Sequence, residues 1–401
     1  MKQLLSIILI LCYSIGMGQT KTVPKNGAGE WYYRGVPFPA NPGDTILLQG
    51  DYTYIEINDL NGLPGKPIVF IKTGQRSKVG YLTNGNSMII QRCSYLVIDG
   101  VEVGNDVDGK FNEQGFNIQS SHNIEIRNSI IKNSKIGLFT NPASGHYPNI
   151  YFHHNTIKNI GDALKQNFDE AIYIGKTDGT SPTVASFPNL RIEDNEFTNI
   201  GGDAIQIANG VNVSVKRNRI SNYGQNKIND QWFGILCGGG TSGTFEDNVL
   251  TNGSGTPFQI LGTGLVTFRN NTAINTGTGA TNQDAFYIRQ SFPTLTVRLI
   301  GNKVDVKSRN WITEVTPGLV IENTNNQFGG TITDTVIITP PTGQTVPKAQ
   351  YDSLLVQYNS VLSSLSVANA TTTAMQAKLN SAVIFADGII KELQYWKTLV
   401  Q

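Results

Sequence analysis

Apolar and polar residues alternate in short runs along most of this chain, and turn residues separate the runs. Residues 189–208, NLRIEDNEFTNIGGDAIQIA, hold the pattern in its plainest form. Leu190-x-Ile192 and Ile205-x-Ile207 flank Asn195-x-Phe197, a second asparagine at Asn199 and a Gly-Gly turn. The spacing predicts two strands and two turns in one coil. Strands this short cannot bury an apolar face alone, and the chain supplies their neighbours by repetition. The template apolar-x-apolar-x-x-Asn-x-apolar fits residues 150–157, 190–197, 213–220 and 297–304 around Asn155, Asn195, Asn218 and Asn302. Looser copies surround Asn248 and Asn271, and a shortened one surrounds Asn128. From Asn155 to Asn302 the successive intervals are 40, 23, 30, 23 and 31 residues, so the shortest is the bare coil and the excess forms loops.

Repeated strands with no helix between them stack in parallel only by winding into a solenoid, with coils about 4.8 Å apart. The asparagines then fall in line at one bend, where each amide can bond the next. Strand signals begin at Asp44 and include residues 44–48, 54–57, 67–71 and 95–98, divided by Gly50-Asp51, Gly62, Gly74 and Asp99-Gly100. Residues 19–43 are aromatic and aperiodic, with Trp31, Tyr32, Tyr33 and Phe38, and suit a cap over the first coil. The β-helix is expected over 44–339, followed by a linker over 340–347 that opens with Pro340-Pro341. Residues 348–401 change to apolar spacings of three and four, from Tyr351 and Leu354 to Trp396 and Val400. That seam predicts either a coiled coil, and with it a homo-oligomer, or a helical hairpin packed on the solenoid. The fold class is all-β with a C-terminal helical segment.

At this point the chain resembles the right-handed parallel β-helix proteins of the pectate-lyase-like superfamily, over roughly residues 44–328. Pro42-Gly43-Asp44-Thr45-Ile46 with Gly62-x-Pro64-Gly65-Lys66-Pro67-Ile68 resembles the opening of secreted proteins related to chondroitinase-B-type and alginate lyases. The resemblance implies a right-handed helix and a polysaccharide partner; it leaves the activity open, because the fold hosts hydrolases, lyases, epimerases, adhesins and phage spikes. Polygalacturonases of the superfamily carry Gly-His-Gly and Arg-Ile-Lys motifs. Here His122, His146, His153 and His154 are not so flanked, and the nearest triplet is Arg191-Ile192-Glu193. The lyases use a basic residue to abstract a proton, and Tyr287 with Arg289 is the outward pair that comes nearest to such a set.

Composition narrows the partners. Thirty-one Lys and Arg against 30 Asp and Glu give a formal charge of +1, which argues against nucleic acid held by bulk electrostatics. Residues 1–18 carry Lys2, an apolar run from Leu4 to Tyr13 and small residues at Gly16 and Gly18, the pattern of an export signal to the cell surface or beyond. The run is too short to span a bilayer, and no later segment is apolar enough to do so. Cys93 and Cys237 lie far apart in apolar strands and read as buried free thiols.

The interior of a β-helix is packed, so a substrate must lie outside, between long loops. The longest excess flanks residues 171–174, and later insertions near 223–231 and 275–284 precede copies of the same strand. Aligning those copies predicts an open outward column of Tyr173, Gln206, Leu236, Gln259 and Tyr287, with Arg289 two residues on and Trp232 nearby. Aromatic rings and amides suit the apolar faces and hydroxyl edges of sugars. Glu170 and Asp203 precede adjacent copies, which predicts carboxyl groups roughly 5 Å apart, as in retaining glycosidases. Asp169 replaces Glu170 if the register slips by one. The competing expectation is that these acids cap turn amides. Asp284 falls about 14 Å away, three coils on. His153-His154 face opposite sides of a strand and read as surface and turn residues rather than metal ligands. Asn105-Asp106-Val107-Asp108-Gly109 is oxygen-rich like a calcium loop but lacks the later glutamate, and reads as a polar turn; no other cofactor is implied.

Overall fold

The computed structural model describes residues 18–332 apart from 24–29, 34–39, 75, 83–84, 163–168, 177–184, 228–229, 280–282, 291–293, 308–309 and 331. Residues 1–17 of the expected export segment, the expected linker 340–347 and the expected helical module 348–401 lie outside the described residues. Among the described residues the strands form a 12-stranded and a 20-stranded sheet, with a further two-stranded piece, and their ladders are parallel. Each strand pairs with its copy one coil later, as in a parallel β-helix. The expected 23-residue coil is seen directly in Glu196↔Arg219 and Arg191↔Ser214.

Three strands, not two, make one coil. Within the motif first read from sequence they are Arg191–Glu193, Glu196–Ile200 and Ile205–Ile207. The first belongs to the 12-stranded sheet and the other two to separate columns of the larger one. Those columns are joined through Ile130–Thr140, which pairs with Thr156–Ile160 by its first half and with Ile172–Ile174 by its second. The sequence pattern hides the middle strand because Asn195 marks a bend, so Phe197 and Ile200 do not continue the alternation of Leu190-x-Ile192. Both point into the core.

The bend has a stereochemical cause. The residue before each ladder asparagine sits in the left-handed region: His154 (φ 54), Asp194 (φ 56), Arg217 (φ 53), Asp247 (φ 57) and Asn270 (φ 53). One left-handed residue turns an extended chain sharply, and the buried asparagine then satisfies the amides that the corner would leave unpaired. Asn155 donates from its backbone N and its Nδ2 to Oδ1 of Asn195, at 3.0 and 3.1 Å, and its other amide proton goes to Ile126 O on the preceding coil. The same triplet repeats through Asn195, Asn218, Asn248, Asn271 and Asn302, and ends on Asn326. At its start the acceptor role passes to Asn155 Oδ1, which takes Ser129 N. Asn128, expected in this column, is instead the left-handed residue beside it and bonds Asp99.

The helix also starts earlier than expected. Thr20–Val23 pairs with Thr45–Leu48, and Glu30–Tyr33 with Tyr54–Asn58, so the described residues of segment 19–43 add a strand to each large sheet. Inside, like residues stack on like. Ile172, Ile205, Ile235, Phe258 and Phe286 are fully buried in one column, and the Phe245 and Phe268 rings stack 4.5 Å apart. Cys93 and Cys237 are buried and free, as expected. His153 is buried, with Nε2 2.9 Å from Glu125 Oε1, so only His154 is a turn residue.

Candidate functional site

The predicted column is present in register. Tyr173 pairs with Gln206, Gln206 with Leu236, Leu236 with Gln259 and Gln259 with Tyr287. Phe139 precedes it and Thr313 follows it, two members that sequence reading missed because their coils lack the Asp/Glu-Ala-apolar signature. The glycines and alanines beside the column face the interior rather than the floor. A Cβ on Gly137 would lie 2.4 Å from the Ala171 carbonyl oxygen of the next coil, and one on Gly234 would lie 2.3 Å from Leu250 Cδ2. The position one step earlier in the chain, that of Glu170, Asp203 and Phe233, is not part of the main apolar core. Phe233 bears this out: it packs with Leu236, Leu261 and Trp232 in an apolar cluster separate from the core.

Glu170 and Asp203 occupy equivalent positions on adjacent coils. Ala171 N donates to Asp203 O at 2.9 Å and Ile172 N to Ala204 O at 3.1 Å, which carries the Ile172↔Ile205 register back to the acids. Adjacent strands set their Cα atoms about 5 Å apart. Glu170 is 1% exposed and Asp203 0%. Asp203 Oδ1 accepts Phe233 N at 2.7 Å, whereas among the described residues Asp203 Oδ2 and both carboxyl oxygens of Glu170 have no hydrogen-bond partner in another residue. Burial pushes the Glu170 carboxyl up to about 7, and the neighbouring Asp169 adds to the rise. Burial also raises Asp203 well above the usual carboxylate range, helped by the charge of Glu170 and opposed by the Phe233 N–H. Three buried oxygens without partners cost folding stability.

Asp169 does not replace Glu170. Its Oδ1 accepts Asp162 N at 3.1 Å and its Oδ2 accepts Asn226 Nδ2 at 2.5 Å, so it ties the segment near Asp162 to the one near Asn226. Burial raises it to about 6. Asn226 was missed in the sequence, where only the insertion around it was legible. The Gly-Gly turn has its reason here: a Cβ on Gly201 would lie 2.5 Å from Asn226 Nδ2.

The floor is not open. Gln206 and Gln259 are buried and Tyr173 is 8% exposed, with its ring stacked on Phe139 at 5.6 Å. Leu236 lies under the apolar cluster with half-buried Trp232. Tyr287 is half-buried and Arg289 exposed, but both lie three coils from the acid pair, so they are not brought together with it. Asp284 follows the competing expectation, since its Oδ1 accepts Asn310 N at 3.2 Å. In the calcium-like turn, the Asp106 carboxylate is taken by Lys78 and Lys132. Among the described residues no group of three His, Cys, Asp or Glu side chains is placed to hold a metal ion, and no helix is long and apolar enough to cross a membrane.

Residues 166–330 match the family described as right handed beta helix region. No curated protein sequence matches the chain. Among solved structures, an alginate lyase from Paenibacillus sp. str. FPU-7 is similar at 16% identity and a TM-score of 0.50, covering 77% of this chain and 99% of its own. A GH136 lacto-N-biosidase from Eubacterium ramulus is similar at 12% identity and a TM-score of 0.47, covering 72% of this chain and 62% of its own. The tailspike protein 2 of bacteriophage CBA120 aligns at 13% identity and a TM-score of 0.36, over 72% of this chain and 42% of its own. At these identities the likeness is one of fold.

Proposed function

We propose that this right-handed parallel β-helix protein is exported, binds extracellular polysaccharide on its long-loop face, and hydrolyses it with Glu170 and Asp203. The observation that carries the reading is the pair itself: two carboxyl groups on adjacent coils, buried, with three oxygens lacking partners. Their coil spacing corresponds to the roughly 5–5.5 Å carboxyl separation of retaining glycosidases. Two carboxyls so close do not both ionise readily, which leaves one as acid and one as base or nucleophile. Asp203 suits the acid: Oδ1 accepts the Phe233 N–H as a carbonyl oxygen does, and Oδ2 is left to carry the proton. Glu170, with both oxygens unengaged, suits the nucleophile. In the first step a Glu170 oxygen bonds to the anomeric carbon as the glycosidic C–O bond breaks, and the Asp203 proton passes to the leaving oxygen. Water then cleaves the glycosyl ester, with Asp203 taking its proton. Asp169 is a positioning residue, holding Asn226 beside the pair. Half-buried Trp232 offers a ring to the sugar near the pair, and Tyr287 with Arg289 line a site further along the stack.

A second reading has its own support. Asp203 Oδ1 and Asp284 Oδ1 cap the same backbone position of the following coil, at Phe233 N and Asn310 N. That repetition favours structural acids and a non-catalytic glycan-binding adhesin, held as an oligomer through residues 348–401. A panel of acidic and neutral polysaccharides, assayed for reducing ends and for ultraviolet absorbance of unsaturated ends, separates the readings. New reducing ends without unsaturation support the hydrolase, unsaturated product indicates a lyase, and binding without product leaves the adhesin.

A further inference from the structure

Arg289 is exposed and stands without an acid. Among the described residues its side chain makes no ion pair and no hydrogen bond, and only its backbone N–H is engaged, donating to Ile260 O at 2.9 Å. By contrast Arg92, Arg127, Arg191, Arg217, Arg269 and Arg298 each lie within 3.5 Å of a carboxylate oxygen. The neighbours of Arg289 in register are apolar. Its bond to Ile260 O and the one from Val315 N to Ile288 O, 2.8 Å, set Leu261 one coil before it and Val315 one coil after. Leu261 is buried in the cluster with Trp232, and Val315 is 50% exposed. Asp284, just before the same strand, and Glu314, on the next, are turned to backbone amides. Asp284 Oδ1 accepts Asn310 N at 3.2 Å, and Glu314 Oε2 accepts Leu319 N and Val320 N at 2.8 and 3.2 Å.

Two more side chains complete the place. Tyr287, half-buried, is two residues before Arg289, and Gln259 pairs with it from the preceding coil. Gln259 is 7% exposed, and among the described residues its Oε1 has no hydrogen-bond partner. Strand and coil spacings put the Cα atoms of Gln259 and Arg289 roughly 8 Å apart, with Tyr287 between them, a span that fits one sugar ring.

From this we infer that Gln259, Tyr287 and Arg289 form a subsite for a sugar unit that carries an anionic group, the chemistry shared by a carboxylate and a sulfate ester. The inference rests on the proposed glycan-binding face and not on catalysis. Three coils, about 14 Å, separate this subsite from Glu170 and Asp203, so the charged unit is not the one cleaved. Leu261 and Val315 flank the guanidinium with apolar surface, which strengthens a charge-assisted fork to either anion relative to open water. A ring hydroxyl supplies the donor that Gln259 Oε1 lacks, and the Tyr287 ring covers a C–H face of the sugar.

The test is calorimetric titration of the full chain and its Arg289→Gln and Arg289→Lys variants, with EDTA present so that no metal bridges the anion. The probes are two matched pairs of hexasaccharides: hexagalacturonate against its methyl ester, and a κ-carrageenan hexamer against the same hexamer desulfated. The expected result is that at least one charged hexamer binds the unaltered chain about tenfold or more tighter than its uncharged partner. Which pair shows the preference tells carboxylate from sulfate. Arg289→Gln should bring the ratio within about twofold, and Arg289→Lys, which keeps the charge and loses the fork, should retain part of it. An unfolding midpoint close to that of the unaltered chain shows that each variant folds. Equal affinities within both pairs overturn the inference, as does a ratio that Arg289→Gln leaves unchanged. Reducing ends are measured on the same hexamers and on the polysaccharide panel. A charge preference with no turnover overturns the catalytic reading and keeps this one, turnover without a charge preference does the reverse, and no binding by any hexamer overturns the subsite.

Discussion

Asn195 gives both its backbone N–H and an Nδ2 proton to the same oxygen, Oδ1 of Asn218, at 3.1 and 3.0 Å. That oxygen is therefore the sole acceptor for two buried donors, and Asn218 Nδ2 in turn serves Ile192 O and Asn248. Replacing Asn218 with Ala should cost about 3–5 kcal/mol, because buried donors left unsatisfied cost about 1–3 kcal/mol each. Asn222→Gly, which removes one exposed bond to Asn199 and keeps the left-handed backbone (φ 54), should cost less than about 1 kcal/mol. Urea unfolding of the two variants measures the contrast, and equal costs would show that the buried ladder is not what fixes the coil.

Asp247 tests the corner itself. It is exposed and left-handed (φ 57), one residue before Asn248. Asp247→Gly should stay within about 1 kcal/mol of the unaltered chain, while Asp247→Val should lose about 1–2 kcal/mol more. The order of the two in thermal unfolding is the readout, and a valine as stable as the glycine would remove backbone strain as the cause of the bend.

Much of this was legible in the sequence and some was not, for physical reasons. The Asn155–Asn302 spacing showed the winding because a buried ladder admits one residue type at each rung. The outward column followed from strand parity, and the Glu170–Asp203 equivalence from aligning successive copies of one strand. Three strands per coil did not follow, since Phe197 and Ile200 face inward beside a bend whose angle no apolar pattern records. Ser129 replaced an expected Asn because a hydroxyl suffices at the end of the ladder, where it accepts Val101 N. Asn226 was invisible because its partner Asp169 is 57 residues away, in an insertion with no repeat to align.

Asn226→Ala should expose the positioning role of Asp169. The substitution leaves Asp169 Oδ2 buried without its donor, at a cost of about 1–2 kcal/mol. Faster cleavage by trypsin at Lys227, with core unfolding little changed, is the expected local signature, and an unaltered cleavage rate argues that the tie holds nothing in place.

Stability should depend on pH in a direction set by the acid pair. The unfolded chain releases the Glu170 proton near its ordinary value of 4.5, and the folded chain holds it to about 7. The native state therefore binds more protons across that window, and stability falls as pH rises through it. Asp203 and Asp169, both raised by burial, act with the same sign. Glu170→Gln should remove up to about 3 kcal/mol of this decline between about pH 4.5 and 7. Chemical unfolding at several pH values measures it, and a decline of equal slope in the variant would place the Glu170 proton elsewhere.

The most direct measurement is the turnover of whichever glycan the unaltered chain cleaves, compared with Glu170→Gln/Asp203→Asn at matched concentration. Loss of both the nucleophile and the acid should lower the release of reducing ends by about a thousandfold or more, with the β-helix still folded by circular dichroism. Release at the unaltered rate would contradict catalysis by the pair and leave Glu170 and Asp203 as structural carboxyls.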